Sequence, residues 1–287
     1  MIKIALPNKG RLADDVRAVL QDAGLRARAE SERALTASLG EGFTALFVRA
    51  ADIPEFVADG AADAGITGWD CVQESGRELL TLVDLEMGKC RLSVAMRDQE
   101  GSPPELSQIK QGARVATTFP RLAAAFFASK QLAVHVVPIS GAAEVAPHLG
   151  IADVIVDLVS TGSTLRVNGL VEVATILESS ARLVCRPRAS LGDDVGRALE
   201  ELAFALSSVV MARDKRYLMA NLPRTALEAV RKELPGLRGP TVVDVLGTDF
   251  VAVHAVVPAS TVYKTTLRLK SLGCEGILVT RIERLIP

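Results

Sequence analysis

Apolar runs of strand length alternate with stretches of helical spacing along the first two hundred residues, and that alternation restricts the fold more than any other feature. "IKIALP" reads as a strand, followed by Leu12, Val16, Val19, Leu20 and Ala23 at helical spacing, with Gly24 placed to end the helix. "FTALFVRA" is a second strand. "DIPEFVADG" is a short helix with proline near its start and glycine at its end, and "DAGITG" is a buried strand running into a turn. A second set follows: strand "RVATTFP", helix "RLAAAFFASK", strand "LAVHVVPI", helix "GAAEVAPHLG" and strand "ADVIVDLV". The turn "RDQEGSPPELSQIKQG" separates the sets. The pattern predicts an α/β protein of two lobes, each a parallel sheet covered by helices, with a cleft beyond the carboxyl ends of the strands.

After the long helical stretch "DDVGRALEELAFALSSVVMARDK" the pattern changes. Strand "RYLMAN", helix Leu227 to Leu234, strands "TVVDVLG" and "FVAVHAVV", a helix from Pro258 to Gly273 and strand "EGILVTRI" spell βαββαβ, a ferredoxin-like unit. A length of 287 residues suits more than one domain. The expected division gives residues 1–89 with 181–212 to one lobe, 90–180 to the other, and 213–287 to the small C-terminal unit.

Charge excludes some partners. The formal net charge is -1 and no run of lysine and arginine occurs, so a nucleic-acid face is not expected. No stretch approaches the ~20 apolar residues of a membrane span, and "LAAAFFA" reads as a buried helix. Cys71, Cys90, Cys185 and Cys274 show no C-x-x-C pairing and read as structural thiols of a reducing, cytoplasmic compartment. His135, His148 and His254 read as structural positions.

The segment "VIVDLVSTGSTLRVNGL" carries the chemistry. Asp157 ends a buried strand, and Ser160, Thr161, Gly162, Ser163 and Thr164 form the turn into a helix. Free N–H groups at a helix start, hydroxyls and one glycine suit a phosphate monoester. S-T-G-S-T could instead only cap a helix, although four hydroxyls exceed that need. Asp157 would repel a phosphate, yet a carboxylate suits two sugar hydroxyls. Acid and hydroxyl turn together read as a site for ribose 5-phosphate.

This stretch resembles the phosphoribosyl-pyrophosphate (PRPP) loop of the ATP phosphoribosyltransferase family. "ALPNKGRL", "VRAADIPEFVADGAADAGITGWD", "GKCRLSVA", "RVATTFPRL" and "GAAEVAPHLGIADVIVDLVSTGSTLRVNGL" resemble the same family in the same order. The βαββαβ unit resembles the regulatory domain of its long form. The resemblance implies a two-lobed core like that of periplasmic binding proteins. It also implies an enzyme transferring phosphoribose from PRPP to N1 of ATP, with Mg2+ as cofactor and pyrophosphate as second product. Asp157 is then assigned to the ribose hydroxyls and Ser160 to Thr164 to the 5-phosphate; many relatives have alanine where Ser163 stands. Lys9 and Arg11, otherwise solvated turn residues, fall by the substrate cleft, with Arg11 also counted as catalytic. Arg49 at the end of its strand points to the same cleft. Asp70 is an adenine or ribose contact, or a helix cap, and Glu144 lies on a helix opposite the loop. The resemblance further implies feedback inhibition by histidine near subunit interfaces, around Asn221, Leu237, Thr241, Val256 and Gly276. Many relatives have aspartate where Asn221 stands. A homohexamer exchanging with dimers, and AMP as a second inhibitor, follow from the same likeness. Two rivals remain: a solute-binding protein that does no chemistry, and a phosphoribosyltransferase with another acceptor base.

Overall fold

A computed structural model describes residues 1–27, 34–40, 42–98, 104–234 and 236–286. The chain begins with β1 (Ile2–Pro7), α1 (Arg11–Asp22), β2 (Thr36–Gly40), β3 (Phe43–Val48), α2 (Ile53–Ala58), β4 (Ala64–Gly68), α3 (Trp69–Ser75) and β5 (Leu80–Asp84). Then follow β6 (Cys90–Arg97), β7 (Arg114–Thr117), α4 (Pro120–Ser129), β8 (His135–Pro138), β9 (Val154–Val159), α5 (Ser163–Val167), β10 (Leu170–Ser179) and β11 (Ala181–Cys185). After α6 (Asp193–Arg213) come β12 (Lys215–Pro223), α7 (Leu227–Glu233), β13 (Thr241–Asp244), β14 (Phe250–Pro258), α8 (Val262–Ser271) and β15 (Glu275–Arg281). Residues 99–103 of the turn read as a boundary in the sequence lie outside the described residues.

Contacts divide the chain into two compact units. The larger comprises residues 1–21 and 25–203, and the smaller residues 22–24 and everything from Phe204 onward, so the division falls within α6.

The larger unit holds two sheets, ordered β2-β3-β1-β4-β11-β5 and β10-β6-β9-β7-β8. In the first, β1, β3 and β4 are parallel, and Ile4, Ala5 and Leu6 of β1 are buried in succession, as a strand covered on both faces requires. Helix α1 buries Ala13, Val16, Val19 and Leu20, one stripe at helical spacing. In the second sheet β7, β8 and β9 are parallel.

The expectation of purely parallel sheets is corrected. β2 joins β3 antiparallel, β11 runs against both β4 and β5, and β6 runs against β9 and β10. The cause is connectivity: the chain leaves the first sheet after β5 and returns to it as β11, in the opposite direction. The two crossings lie side by side, with Leu85 N–H donating to the Ala181 carbonyl and Ala181 N–H to that of Met87, each at 2.9 Å.

A second correction concerns "GAAEVAPHLG". Ala143–Val145 is a single 3-10 turn, followed by further turns to Gly150. Pro147 has no N–H to donate to the Ala143 carbonyl, so an α-helical ladder is interrupted there. Bonds from Val145 to Ala142 and from Ala146 to Ala143 close three-residue turns instead.

The smaller unit has a four-stranded antiparallel sheet, β13-β14-β12-β15, the ferredoxin-like order. Burial alternates along β14: Val251, Val253, Ala255 and Val257 join Leu218, Ala220 and Leu222 of β12 under Val230 and Leu234 at α7 and Leu269 of α8. Among the described residues no helix is long and apolar enough to cross a membrane.

Candidate functional site

β9 delivers Asp157 to the carboxyl end of the second sheet. Val154, Ile155 and Val156 are buried, and the strand ends where Ser160 begins the turn. Gly162 has φ +73, a left-handed conformation that favours glycine, and starts α5. The first N–H groups of α5 have no acceptor within so short a helix, and that of Ser163 donates to the Thr161 hydroxyl at 3.4 Å. Thr161 and Ser163 hydroxyls lie 2.9 Å apart, and Ser160, Thr161, Ser163 and Thr164 are all exposed.

These residues line a cavity of about 270 Å3 together with Glu144, Asp157, Leu158, Val159 and Leu165. Asp157 and Ser160 to Thr164, read together in the sequence, line one cavity, and Glu144 joins them there. Glu144 sits on the 3-10 turn rather than on the expected helix. A larger hollow of about 380 Å3, lined by residues that include Lys110, Gly112, Ala113, Asp153 and Val154, lies at the amino ends of β7 and β9, away from the loop.

Burial holds the Asp157 carboxyl above the usual aspartate range, and the charge of Glu144 adds to the effect. One bond opposes it, from the Leu158 N–H to Asp157 Oδ1 at 2.8 Å. Among the described residues no other donor reaches this carboxylate, so it retains acceptor capacity for a ligand.

Lys9, Arg11, Arg49 and Asp70 follow β1, β3 and β4, whose parallel carboxyl ends share one edge of the first sheet. Lys9, Arg11 and Arg49 are exposed, and among the described residues none of their side chains makes a hydrogen bond or ion pair. Arg49 stands one residue beyond β3 instead of ending it. Asp70 differs from these: it is 5% exposed, its Oδ1 accepts the Ser179 hydroxyl at 2.5 Å, and its backbone N–H donates to Ser179 Oγ at 3.0 Å. A Cβ at Gly68 would collide with that Oδ1. In this conformation Asp70 faces its own chain. The loop cavity is lined by none of these four residues.

All four cysteines are free, and burial raises each thiol above its ordinary pKa, which leaves them weak nucleophiles. His135 is exposed at the start of β8, and His148 Nε2 lies 2.8 Å from the Asn168 carbonyl. His254 Nδ1 lies 2.7 Å from the Tyr217 hydroxyl.

In the smaller unit Asn221 of β12 is exposed, and a Cβ on Gly276 of β15 would stand 3.4 Å from its Nδ2. Thr241 is opposite His254 and Val256 opposite Tyr217, on the sheet face away from α7 and α8. Asn221 pairs with Ala252, four residues from Val256, a separation of about 13 Å along the strand. Leu237 is exposed in the turn before β13. Asn221 and Gly276 therefore meet, whereas the five residues do not converge on one point within a single chain.

Sequence reasoning overlooked a set of side chains around the loop: Arg91, Ser93, Arg166 and Glu172. Arg91 lies in "GKCRLSVA", but nothing in that segment names Glu172 as its partner.

Comparison with known proteins agrees with the sequence resemblance. The family model described as HisG, ATP phosphoribosyltransferase, matches residues 49–208, and the HisG C-terminal domain matches residues 212–284. An ATP phosphoribosyltransferase of Gemmatimonas aurantiaca is 60% identical over 292 residues, covering 100% of both chains. One of Methanocella arvoryzae is 46% identical, again over 100% of each. A solved ATP phosphoribosyl transferase (HisG:HisZ) complex from Thermotoga maritima superposes with a TM-score of 0.64 at 28% identity, covering 74% of this chain and 99% of that one. With both units matched along the whole length, the chain belongs to the ATP phosphoribosyltransferase family.

Proposed function

We propose that the protein transfers phosphoribose from PRPP to N1 of ATP, forming phosphoribosyl-ATP and releasing pyrophosphate. The observation that carries this reading is the single cavity lined by both Asp157 and the Ser160 to Thr164 loop. Asp157 accepts hydrogen bonds from the two ribose hydroxyls. The loop hydroxyls and the first N–H groups of α5 receive the 5-phosphate.

N1 of adenine is itself the attacking atom, so no side-chain nucleophile is needed. As the C1–pyrophosphate bond breaks, positive charge develops on the ribose ring, and the bond from N1 forms on the opposite face. Catalysis then rests on alignment and on neutralising the departing charge. The exposed side chains of Lys9, Arg11 and Arg49 supply cations for the triphosphate and pyrophosphate. Among the described residues no group of three or more His, Cys, Asp or Glu side chains is gathered for a metal. Mg2+ arriving with the substrate would neutralise charge on the leaving pyrophosphate.

Histidine inhibits through the smaller unit. The spread of Asn221, Leu237, Thr241, Val256 and Gly276 fits a pocket completed by a neighbouring subunit, in keeping with a homohexamer that exchanges with dimers. AMP competes at the ATP site. The protein works in the cytoplasm.

Mixing the protein with PRPP, ATP and Mg2+ tests the assignment, read as pyrophosphate release and as absorbance of phosphoribosyl-ATP. Both signals are expected with ATP and neither with free purine or pyrimidine bases. Product from another acceptor base, or PRPP bound without turnover, would reject it in favour of one of the two rivals.

A further inference from the structure

The sheet floor beneath the loop carries polar groups that donor binding by Asp157 and the loop does not itself use. Across β6 and β9, Arg91 stands opposite Val159, Ser93 opposite Asp157 and Ala95 opposite Ile155. Directly opposed residues share a face, so Arg91 and Ser93 lie on the same side as Asp157. Ala95, Ile155 and Val159 pack there with Leu165 of α5, which identifies this side as the one under the loop. Glu172 of β10 stands opposite Ala95 and reaches the same side.

Arg91 and Glu172 form a two-pronged pair: Nε donates to Oε2 at 2.7 Å and Nη2 to Oε1 at 2.5 Å. Arg91 Nη1 then donates to the Ser160 carbonyl at 3.3 Å, and Arg166 Nη1 to the Thr161 carbonyl at 3.3 Å. Gly162 lets the loop settle onto these groups, since a Cβ there would lie 3.3 Å from both Glu172 Oε1 and Arg166 Nη1.

Peptide geometry gives these contacts a consequence. In a planar trans peptide the C=O and the following N–H point in opposite directions. Turning the Ser160 carbonyl toward Arg91 directs the Thr161 N–H away from Arg91. Turning the Thr161 carbonyl toward Arg166 does the same for the Gly162 N–H. We infer that Arg91, held in its fork by Glu172, together with Arg166, are positioning residues that aim the Thr161 and Gly162 N–H groups at the donor phosphate. This inference rests on the donor-binding reading above. Glu172 is held below the usual glutamate range, chiefly by its bonds from Arg91, so the pair is fully ionised at neutral pH.

The test compares Glu172→Gln and Arg91→Lys with the wild type, measuring KM for PRPP and for ATP separately and PRPP binding by calorimetry. Loss of the fork should raise the PRPP KM about tenfold in each variant, with the ATP KM and kcat changed less than about threefold. Far-UV circular dichroism establishes that each variant is folded. Unchanged PRPP KM in the folded variants overturns the inference. So does an equal rise in both KM values with a lowered melting temperature, the mark of a merely structural pair. Wild-type binding of PRPP that Asp157→Ala weakens but neither variant alters would leave the donor-binding reading intact and remove only this one. Absence of saturable PRPP binding to the wild type would remove both.

Discussion

The Glu74 carboxylate accepts the backbone N–H of Arg121 at 2.8 Å and that of Leu122 at 2.9 Å, although the acid belongs to α3 over the first sheet and the amides to α4 over the second. Pro120 opens α4 and has no N–H, so these are the first amides that the helix offers. Arg121 answers with Nη1 on the Gln73 carbonyl at 2.8 Å, and a Cβ on Gly76 would collide with its guanidinium. Glu74→Ala strips a charged cap from this helix and should lower stability by about 1–2 kcal/mol. Urea denaturation checks this; an unchanged midpoint would show that water replaces the acid without cost.

Asp157 should be a site where activity and stability pull apart. Its carboxyl has a folded-state pKa above the unfolded value, so above that pH the native state carries a charge it disfavours. Asp157→Asn removes the charge and should lower turnover by about 10²-fold or more, while the melting temperature at neutral pH stays at or above that of wild type. A variant both inactive and clearly less stable would mean that the acid serves the fold.

The acid limb of the pH profile follows from the same group. If Asp157 accepts the donor hydroxyls as proposed, it must be ionised, so kcat/KM for PRPP should fall on acidification with an apparent pKa above the usual aspartate value of about 3.9. Glu144 contributes to that elevation. Glu144→Gln removes a negative neighbour, and the limb should move to lower pH. A shift in the opposite direction would contradict the proposed contact between the two charges.

Acid should also loosen the loop's support. The folded-state pKa of Glu172 lies below its unfolded value of about 4.3, so its contribution to stability is present above that pH and is lost as pH falls through the folded value. Glu172→Gln should flatten the decline of melting temperature between about pH 5 and pH 3. A decline as steep as that of wild type would place the acid sensitivity elsewhere, with the Arg114–Asp153 pair as the next group to change.

Histidine inhibition should respond to the Asn221–Gly276 contact. Asn221→Asp offers a charged partner to the amino group of histidine and should tighten inhibition by about tenfold. Gly276 has φ +55, so Gly276→Ala strains the backbone at the start of β15 and should weaken inhibition. Deleting residues 213–287 should abolish it; inhibition surviving the deletion would move the effector site into the core.

Local pattern made much of the fold legible. An unbroken apolar run read correctly as the buried strand that leads to Asp157, and the period-two pattern of "FVAVHAVV" read as a sheet with one covered face. What escaped depended on distance along the chain. β11 lies between β4 and β5 only because the chain crosses out and returns, and no residue within "ARLVC" encodes that placement. The Arg91–Glu172 fork joins residues 81 positions apart, across a strand pair interrupted by bulges, so spacing gives no signal for it. The helix expected over "GAAEVAPHLG" is a 3-10 turn at Ala143–Val145, since Pro147 has no N–H for the Ala143 carbonyl.

The paired crossings at Leu85 to Met87 and Ala181 bear on how the core handles its substrates. Two backbone segments cross-linked by hydrogen bonds resist stretching and sliding but bend readily across their shared plane, like a strap. Were a substrate to bridge both sheets, as the proposed function implies, any change in their separation would be taken up as bending of these paired segments.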